Sequence, residues 1–213
     1  MKLYHIHREN KYDNLFKEGN TIEFGKNDNF LKESLQDISS SFTQVKTLED
    51  GKNIKKYTKF DEALYYPTFE NYSRKNQMQL LEMVREYVML TSTLNRENIL
   101  EEVRKNKFSE LPSRFKCMYL TDEEGLERWL DVLKRNNARF FYEKENPIEI
   151  FEVEAKGNRF ISSIKLLPST GTKLQNMYFD AERYWNPTEY ELAHSNCKEY
   201  LVEGEVKILR KVK

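Results

Sequence analysis

The spacing of apolar residues changes along this chain, and that change constrains the fold more than any other feature. Between residues 77 and 105 the apolar side chains recur at the three- and four-residue steps of an amphipathic helix. They are Met78, Leu81, Val84, Val88, Ile99, Leu100 and Val103. This pattern predicts two helices, broken near residues 91–95. The second half has strand-like apolar runs (IEIFEVEA, RFISSIKLL and EYLVEGEVKIL), with Gly157 and Gly204 as expected turns. Helices combined with such strands predict an α+β chain.

Other segments complete this outline. Residues 2–8 (KLYHIHR) alternate in character and predict an opening strand, after which YDNLFKEGNTI predicts helical turns that begin at Asp13 and end at Gly19. FKCMYL predicts a strand, and TDEEGLERWLDVLKR predicts a helix with Thr121 as its cap and acids in its first turn. A further helix is expected around MYFDAERYW. Residues 26–76 are polar without a sustained period, which indicates loop and short helix.

The length of 213 residues fits one domain, and we place a largely helical insert in it at about residues 26–105. The chain has 35 Lys and Arg residues and 35 Asp and Glu residues. It therefore lacks the overall positive field of a basic nucleic-acid binder, and only local stretches such as KNIKKYTK and KILRKVK could contact phosphates.

Composition also limits location and cofactors. No apolar run approaches the ~20 residues that span a bilayer, so we expect a cytoplasmic protein with no membrane contact. Cys117 and Cys197 have no CxxC spacing and are expected to be reduced thiols. The histidines are His5, His7 and His194, too few with the cysteines to predict a metal site.

Several residues could carry chemistry, and each also has a structural explanation. The imidazoles of His5 and His7 could hold a ribose hydroxyl or a phosphate, or they could be the outward residues of a surface strand. Around PSRFKCMYLT, the side chains of Arg114, Tyr119 and Thr121 could contact a ligand, or could serve as packing and as a helix cap.

The C-terminal part offers two more candidates. Tyr184 and Trp185 provide ring faces that could stack on a flat heterocycle, although adjacent aromatic residues are more often part of a core. Glu199 begins the last expected strand, where it is either a functional carboxylate or part of a solvated acidic edge with Glu203 and Glu205. The chain contains no GxGxxG, GxxxxGK[ST], GxSxG or HExxH, so the common nucleotide, hydrolase and zinc-protease motifs are absent.

Three stretches, taken in order, resemble the ADP-ribosyltransferase-like superfamily. LYHIHRENKYDNLFKEGNTI is similar to the opening of the DNA-modifying ADP-ribosyltransferase toxin branch, CMYLTDEEGLERWL to the middle motif, and KEYLVEGEVKIL to the closing motif. The combination of EEVRKNKFSELPSRFKCMYL and AERYW resembles an uncharacterised bacterial family of the same superfamily. The resemblance implies split mixed and antiparallel β-sheets with a helical insert. It also implies an NAD-dependent ADP-ribosyltransferase or NAD glycohydrolase in a bacterial cytoplasm.

The resemblance assigns a role to each candidate residue. Glu199 would be the catalytic carboxylate, stabilising the positive charge that develops on the ribose when its bond to nicotinamide breaks. The residues that would bind NAD, which is the substrate, are His5 at the adenosine ribose (with His7 as the alternative), Arg114 at the pyrophosphate, Tyr119 near the nicotinamide, and Thr121. Tyr184 and Trp185 would help to recognise the acceptor, which could be nucleic acid or protein.

The chain departs from the better-known members at two places. Cys197 stands two residues before Glu199, where arginine-modifying members have Glu or Gln, which disfavours arginine as the acceptor. The middle motif has Tyr-Leu-Thr rather than Ser-Thr-Ser. Two alternatives therefore stay open, a catalytically inactive scaffold that binds a nucleotide or protein partner, and an enzyme that removes a 2′-phosphate from RNA with NAD.

These hypotheses predict different geometries. An NAD-cleaving enzyme should bring His5, Tyr119 and Glu199 into one pocket, with the Tyr184–Trp185 pair at its rim. The scaffold hypothesis predicts that Glu199 points away from any cleft that it would share with His5.

Overall fold

The computed structural model describes residues 2–8, 15–29, 46–50, 53–57, 74–140 and 148–212. It divides the chain into two compact units, one formed by Met1–Phe30 with Arg96–Lys213 and the other by Leu31–Asn95. The strands in chain order are β1 (Leu3–Arg8), β2 (Thr21–Phe24), β3 (Lys46–Asp50), β4 (Asn53–Tyr57), β5 (Met118–Leu120), β6 (Ile148–Ser163) and β7 (Lys198–Lys211). The helices are α1 (Arg74–Lys107), α2 (Glu123–Phe140), α3 (Leu174–Trp185) and α4 (Glu189–Ala193), with a 3₁₀ turn at Ile164–Leu166.

The first unit contains a five-stranded antiparallel sheet. Its order is β1-β6-β7-β2, and β5 pairs with β7 on the same side as β2 does, nearer the start of β7. Tyr4 and Thr121 exchange two backbone hydrogen bonds of 2.8 and 2.9 Å, so β1, β6, β7 and β5 form a ring that a single bridge closes. Helices together with this antiparallel sheet confirm the expected α+β fold.

Two apolar clusters cover the opposite faces of this sheet. One face carries Leu3, Met118, Leu120, Phe151, Val153, Ala155, Tyr200, Val202, Val206 and Ile208. The other face packs against α1 and α3 and includes Leu100, Cys117, Ala181, Trp185 and Leu201. Because neighbouring residues of a strand point to opposite faces, Tyr200 and Leu201 of β7 belong to different clusters.

Gly157 and Gly204 are not turns, as the sequence predicted, but paired residues inside the two longest strands. Their φ angles are +127° and +137°, in the region that favours glycine. A Cβ atom on Gly157 would lie 2.3 Å from the carbonyl oxygen of Glu203. β6 and β7 therefore continue past both glycines without a turn, and the two strands approach each other closely at this point. The predicted strand RFISSIKLL ends instead in the 3₁₀ turn at Ile164–Leu166.

The region around the predicted insert differs in two ways from its sequence pattern. α1 is one helix of 34 residues, so the predicted break at 91–95 is wrong. It contains no Gly or Pro, and the Thr93 hydroxyl donates to the Met89 carbonyl at 2.9 Å, which helix geometry accommodates. The second unit also contains the antiparallel pair β3–β4, which the polar sequence did not predict. The rest of the predicted loop at 30–45, 51–52 and 58–73, and the start of the predicted helical turns at 9–14, lie outside the described residues.

The cap of α2 is Asp122 rather than Thr121. The Asp122 Oδ1 atom accepts a 2.8 Å hydrogen bond from the Gly125 amide, the third residue of the helix. The Thr121 hydroxyl donates to the Lys198 carbonyl at 3.1 Å, and it fits only because position 125 has no Cβ, which would lie 2.2 Å from it. Thr121 therefore ties α2 to the start of β7. The helix predicted around MYFDAERYW is confirmed as α3.

Candidate functional site

Glu199 lies near the start of β7, on the same face as Leu201, and is only 1% exposed. Its Oε1 atom accepts hydrogen bonds from Arg114 Nη1 at 2.7 Å and from the Tyr184 hydroxyl at 2.5 Å. Its Oε2 atom is buried and has no hydrogen-bond partner among the described residues. The carboxylate is thus enclosed, with one oxygen fully engaged.

Arg114 lies in the segment between α1 and β5 and is 4% exposed. Its Nε atom donates to Glu97 Oε2 of α1 at 2.7 Å, while Nη1 serves Glu199. The guanidinium carbon lies 5.1 Å from the ring centre of Tyr119 and 5.0 Å from that of Tyr184, within cation–π range. We call Glu97, Arg114, Tyr184 and Glu199 the Arg114 cluster.

The charges of the Arg114 cluster support one another. Burial opposes the charge of Arg114, but Glu199 and Glu97 outweigh it and hold the arginine pKa well above its usual value. Burial likewise opposes ionisation of Glu97, yet Arg114 and the adjacent Arg96 keep its pKa low. Burial, together with Glu199, raises the pKa of Tyr184 well above its usual value, so its phenol stays neutral and donates. The cluster is a buried ionic network in which one guanidinium serves two carboxylates, rather than an exposed acid.

His5 and His7 lie on the other face of the sheet. His5 stands opposite Phe151 in the β1–β6 register, and Phe151 belongs to the Leu3 cluster. The Phe16 ring stacks on both imidazoles, with centroid distances of 5.0 Å to His5 and 4.0 Å to His7. We call His5, His7 and Phe16 the imidazole cluster. His7 is buried, whereas the rings of His5 and Phe16 are partly exposed.

Burial, with a smaller effect of the nearby His7, lowers the pKa of His5 to about 4, against the opposing effect of the Tyr119 carbonyl. The imidazole is therefore neutral near pH 7. Its Nδ1 lies 3.1 Å from that carbonyl oxygen, which can only accept, so Nδ1 carries the proton. The second nitrogen, Nε2, is then unprotonated and able to accept a hydrogen bond from a ligand hydroxyl.

The structure brings together Arg114, Tyr119, Tyr184 and Glu199, but not His5 with Glu199. Because these two side chains lie on opposite faces of the sheet, the prediction that His5, Tyr119 and Glu199 line one pocket is wrong. Tyr119 touches both sides, since its carbonyl accepts from His5 while its ring faces Arg114. Tyr119 thereby connects the imidazole cluster directly to the surroundings of Arg114.

The aromatic pair is also placed differently from the prediction. Tyr184 is 0% exposed and Trp185 is 2% exposed, so neither ring face lies at a rim where an acceptor could stack. The Trp185 Nε1 atom donates to the Leu100 carbonyl of α1 at 2.8 Å, and its ring contacts Phe160. The alternative interpretation, that adjacent aromatic residues form core, describes their position in this structure.

Three important residues were not singled out in the sequence. Glu97 lies three residues before Leu100, on the same face of α1. An acid within the apolar spacing of this helix was the signal that could have identified it. Trp129 of α2 donates its indole N–H to the Lys198 carbonyl at 3.1 Å, beside the Thr121 hydroxyl, and so fixes the backbone next to Glu199. Asn29 binds the loop that carries Arg114, and nothing in its local sequence indicates this.

A shallow groove of ≈ 520 Å³ runs along β6 beyond the start of β1. Its lining includes Lys2, Glu154, Lys156 and Arg159, but none of the predicted site residues. The described residues contain no group of three or more His, Cys, Asp or Glu side chains placed to hold a metal ion. Within the same part of the chain, no helix is long and apolar enough to cross a membrane.

Comparison with known proteins places the chain in a family without assigning it an activity. No curated protein matches it. A family model described as "Protein of unknown function (DUF2441)" matches residues 3–213, which is nearly the whole length and includes both the Arg114 cluster and the imidazole cluster. The chain therefore belongs to the DUF2441 family.

Proposed function

We propose that this protein is a nucleotide-binding member of the ADP-ribosyltransferase-like superfamily that does not cleave NAD. The observation that carries the proposal is the position of Glu199, which is 1% exposed and paired with Arg114 at 2.7 Å. Cleavage of the nicotinamide–ribose bond needs an ionised carboxylate beside the positively charged sugar. Here Arg114 already neutralises that carboxylate, and protein atoms surround it.

The imidazole cluster supports the binding half of the proposal. The resemblance assigns His5 to the adenosine ribose, and a ribose hydroxyl is a donor that the unprotonated Nε2 of a neutral imidazole can accept. The ring of His5 is partly exposed, and Phe16 beside it offers apolar surface. A nucleotide on this face would lie away from Glu199, so it would be held without being cleaved.

Titration calorimetry with NAD and with ADP-ribose tests the binding. We expect both ligands to bind the wild type, and we expect His5→Ala to weaken the affinity at least tenfold. The matched control is His194→Ala, which removes an exposed imidazole whose Nδ1 lies 2.9 Å from the Tyr190 carbonyl of the preceding helix. Absence of binding to the wild type, or equal binding by the His5→Ala variant, would contradict the proposal.

Chromatography of the same mixtures tests the absence of cleavage. We expect no nicotinamide above the level of buffer alone after prolonged incubation with NAD. Nicotinamide release that disappears in Glu199→Gln, a change that keeps size and removes charge, would instead establish NAD cleavage through Glu199.

One observation favours that second candidate, an NAD-dependent ADP-ribosyltransferase or NAD glycohydrolase. The Oε2 atom of Glu199 is buried without a hydrogen-bond partner among the described residues, an arrangement that is costly unless a ligand or water supplies a donor. For catalysis, Arg114 would have to release the carboxylate and the ribose would have to reach it. Mass spectrometry of bacterial nucleic acid and protein after incubation with the enzyme and NAD would then identify the acceptor.

A further inference from the structure

Arg114 contacts three parts of the first unit that are far apart in the chain, and it uses different atoms for each. Its carbonyl oxygen accepts a hydrogen bond from Asn29 Nδ2 at 2.8 Å. Its Nε atom donates to Glu97 at 2.7 Å, and its Nη1 atom donates to Glu199 at 2.7 Å. One residue thus joins an early segment, the helix α1 and the last strand.

Two of these contacts stand where the chain leaves the first unit and where it returns. Asn29 precedes Leu31, the first residue of the second unit, by two positions, and Glu97 follows its last residue, Asn95, by two. Asn29 is held further by its amide, which donates to the Phe115 carbonyl at 2.6 Å, and by its side chain, which donates to the Cys117 carbonyl at 2.9 Å. Two segments of the first unit that lie close in sequence to its boundaries with the second are therefore held by Arg114 and its immediate neighbours.

Burial makes these contacts depend on one another. Arg114, Glu97 and Glu199 are 4%, 1% and 1% exposed, so a charge that loses its partner cannot be solvated in place. Asn29 contacts the backbone of Arg114, and Glu97 contacts its guanidinium. The same guanidinium and Tyr184 give Glu199 its hydrogen bonds.

We propose that Arg114 couples two segments of the first unit, around Asn29 and around Glu97, to Glu199, so that a change at either residue changes the environment of the Glu199 carboxylate. The proposal goes beyond nucleotide binding and does not depend on it. Its consequence is regulatory, because anything that displaces Asn29 or Glu97 would act on Glu199 without touching it.

A double-mutant cycle on the full chain tests this coupling. Asn29→Ala and Glu199→Gln are made separately and together, and the equilibrium constant of urea unfolding is measured for each. If the sites are coupled, the increase in the unfolding constant of the double variant should be at least fivefold smaller than the product of the increases in the two single variants. Agreement with the product within twofold would overturn the proposal.

The control cycle replaces Asn29→Ala with Asn20→Ala. Asn20 also uses its side-chain amide to hold a backbone carbonyl, that of Leu15 at 3.1 Å, but the bond is exposed and lies outside the Arg114 cluster. Its effect should multiply with that of Glu199→Gln within twofold. If Glu199→Gln does not fold, Tyr184→Phe takes its place in both cycles, since it removes a hydroxyl that donates to the same carboxylate and leaves the carboxylate itself in place.

Amide hydrogen exchange supplies a second readout at the distant site. In Asn29→Ala we expect exchange at Glu199, Tyr200 and Leu201 to be at least tenfold faster than in Asn20→Ala. Equal rates in the two variants would show that the loss of Asn29 stays local, which would overturn the coupling even if both proteins are destabilised.

Discussion

The Arg114 cluster and the imidazole cluster lie on opposite faces of one sheet, and burial has opposite consequences for their charges. Arg114 and Glu97 stay ionised because each has an oppositely charged partner within 2.7 Å. The pKa of His5 is instead set by burial, a backbone carbonyl and a second imidazole, and it falls to about 4. The comparison shows that an oppositely charged partner, rather than burial itself, determines whether a buried group keeps its charge.

The largest expected effect comes from removing the shared cation. Arg114→Met should lower the free energy of unfolding by about 3–5 kcal/mol, because Glu97 and Glu199 would remain buried without their partner. Urea denaturation followed by circular dichroism measures it. The matched control is Arg183→Met, which breaks the surface ion pair with Glu191 and should change stability little. Similar losses in the two variants would mean that burial does not distinguish these ion pairs.

A second test concerns the charge that burial removes. The unfolded chain protonates His5 below pH 6.5 but the folded chain does so only near pH 4, so stability should fall as the pH is lowered from 6.5 to 4. His5 should contribute about 2 kcal/mol to that loss, less than the full shift implies because its ring is partly exposed. His5→Gln should flatten urea-unfolding stability over this pH range. An unchanged slope would contradict the lowered pKa, and the control His194→Gln should keep the wild-type slope.

A smaller effect is expected when one hydroxyl is removed from the Arg114 cluster and its charged groups remain. Tyr184→Phe removes the hydroxyl that donates to Glu199 and accepts from Arg114 Nη1, but it leaves the direct bond between Arg114 and Glu199. The free energy of unfolding should fall by about 1.5–2 kcal/mol, at the low end for a hydrogen bond to a charged group, because Arg114 still donates to Glu199. Tyr190→Phe, at a ring that is 71% exposed, provides the control and should have no measurable effect. A null result at Tyr184 would mean that Arg114 satisfies the carboxylate unaided.

The smallest expected effect concerns the backbone beside Glu199. Trp129→Phe removes one of the two donors to the Lys198 carbonyl, and the Thr121 hydroxyl still donates there. A loss of about 0.5–1 kcal/mol in urea unfolding is expected. The double variant with Thr121→Val should lose more than the two separate changes combined, because the Lys198 carbonyl is then left without either side-chain donor. Simple additivity would show that water replaces both.

Sequence patterns predicted an element correctly where the pattern lies within that element. The alternation in KLYHIHR placed β1, and the spacing in MYFDAERYW placed α3. The cap of α2 was misplaced by one residue because Thr121 and Asp122 are both good cap residues, and only the contact of Thr121 with Lys198 distinguishes them. Taken one at a time, Gly157 and Gly204 predict turns. Their position as paired residues within β6 and β7 depends on the partner strand, which the local sequence does not show.

Residue patterns alone predicted an α+β chain and three of its parts: an opening strand with two imidazoles, a strand–helix unit after residue 117, and a last strand that begins with an acid. Only the tertiary structure decided which face of the sheet each side chain occupies. It put Glu199 with Arg114 and Glu97, and His5 with Phe16, on opposite sides. The physical reason is that strand pairing between distant parts of the chain, such as Leu3 with Val153, sets these faces, and a shift of one residue exchanges the two sides.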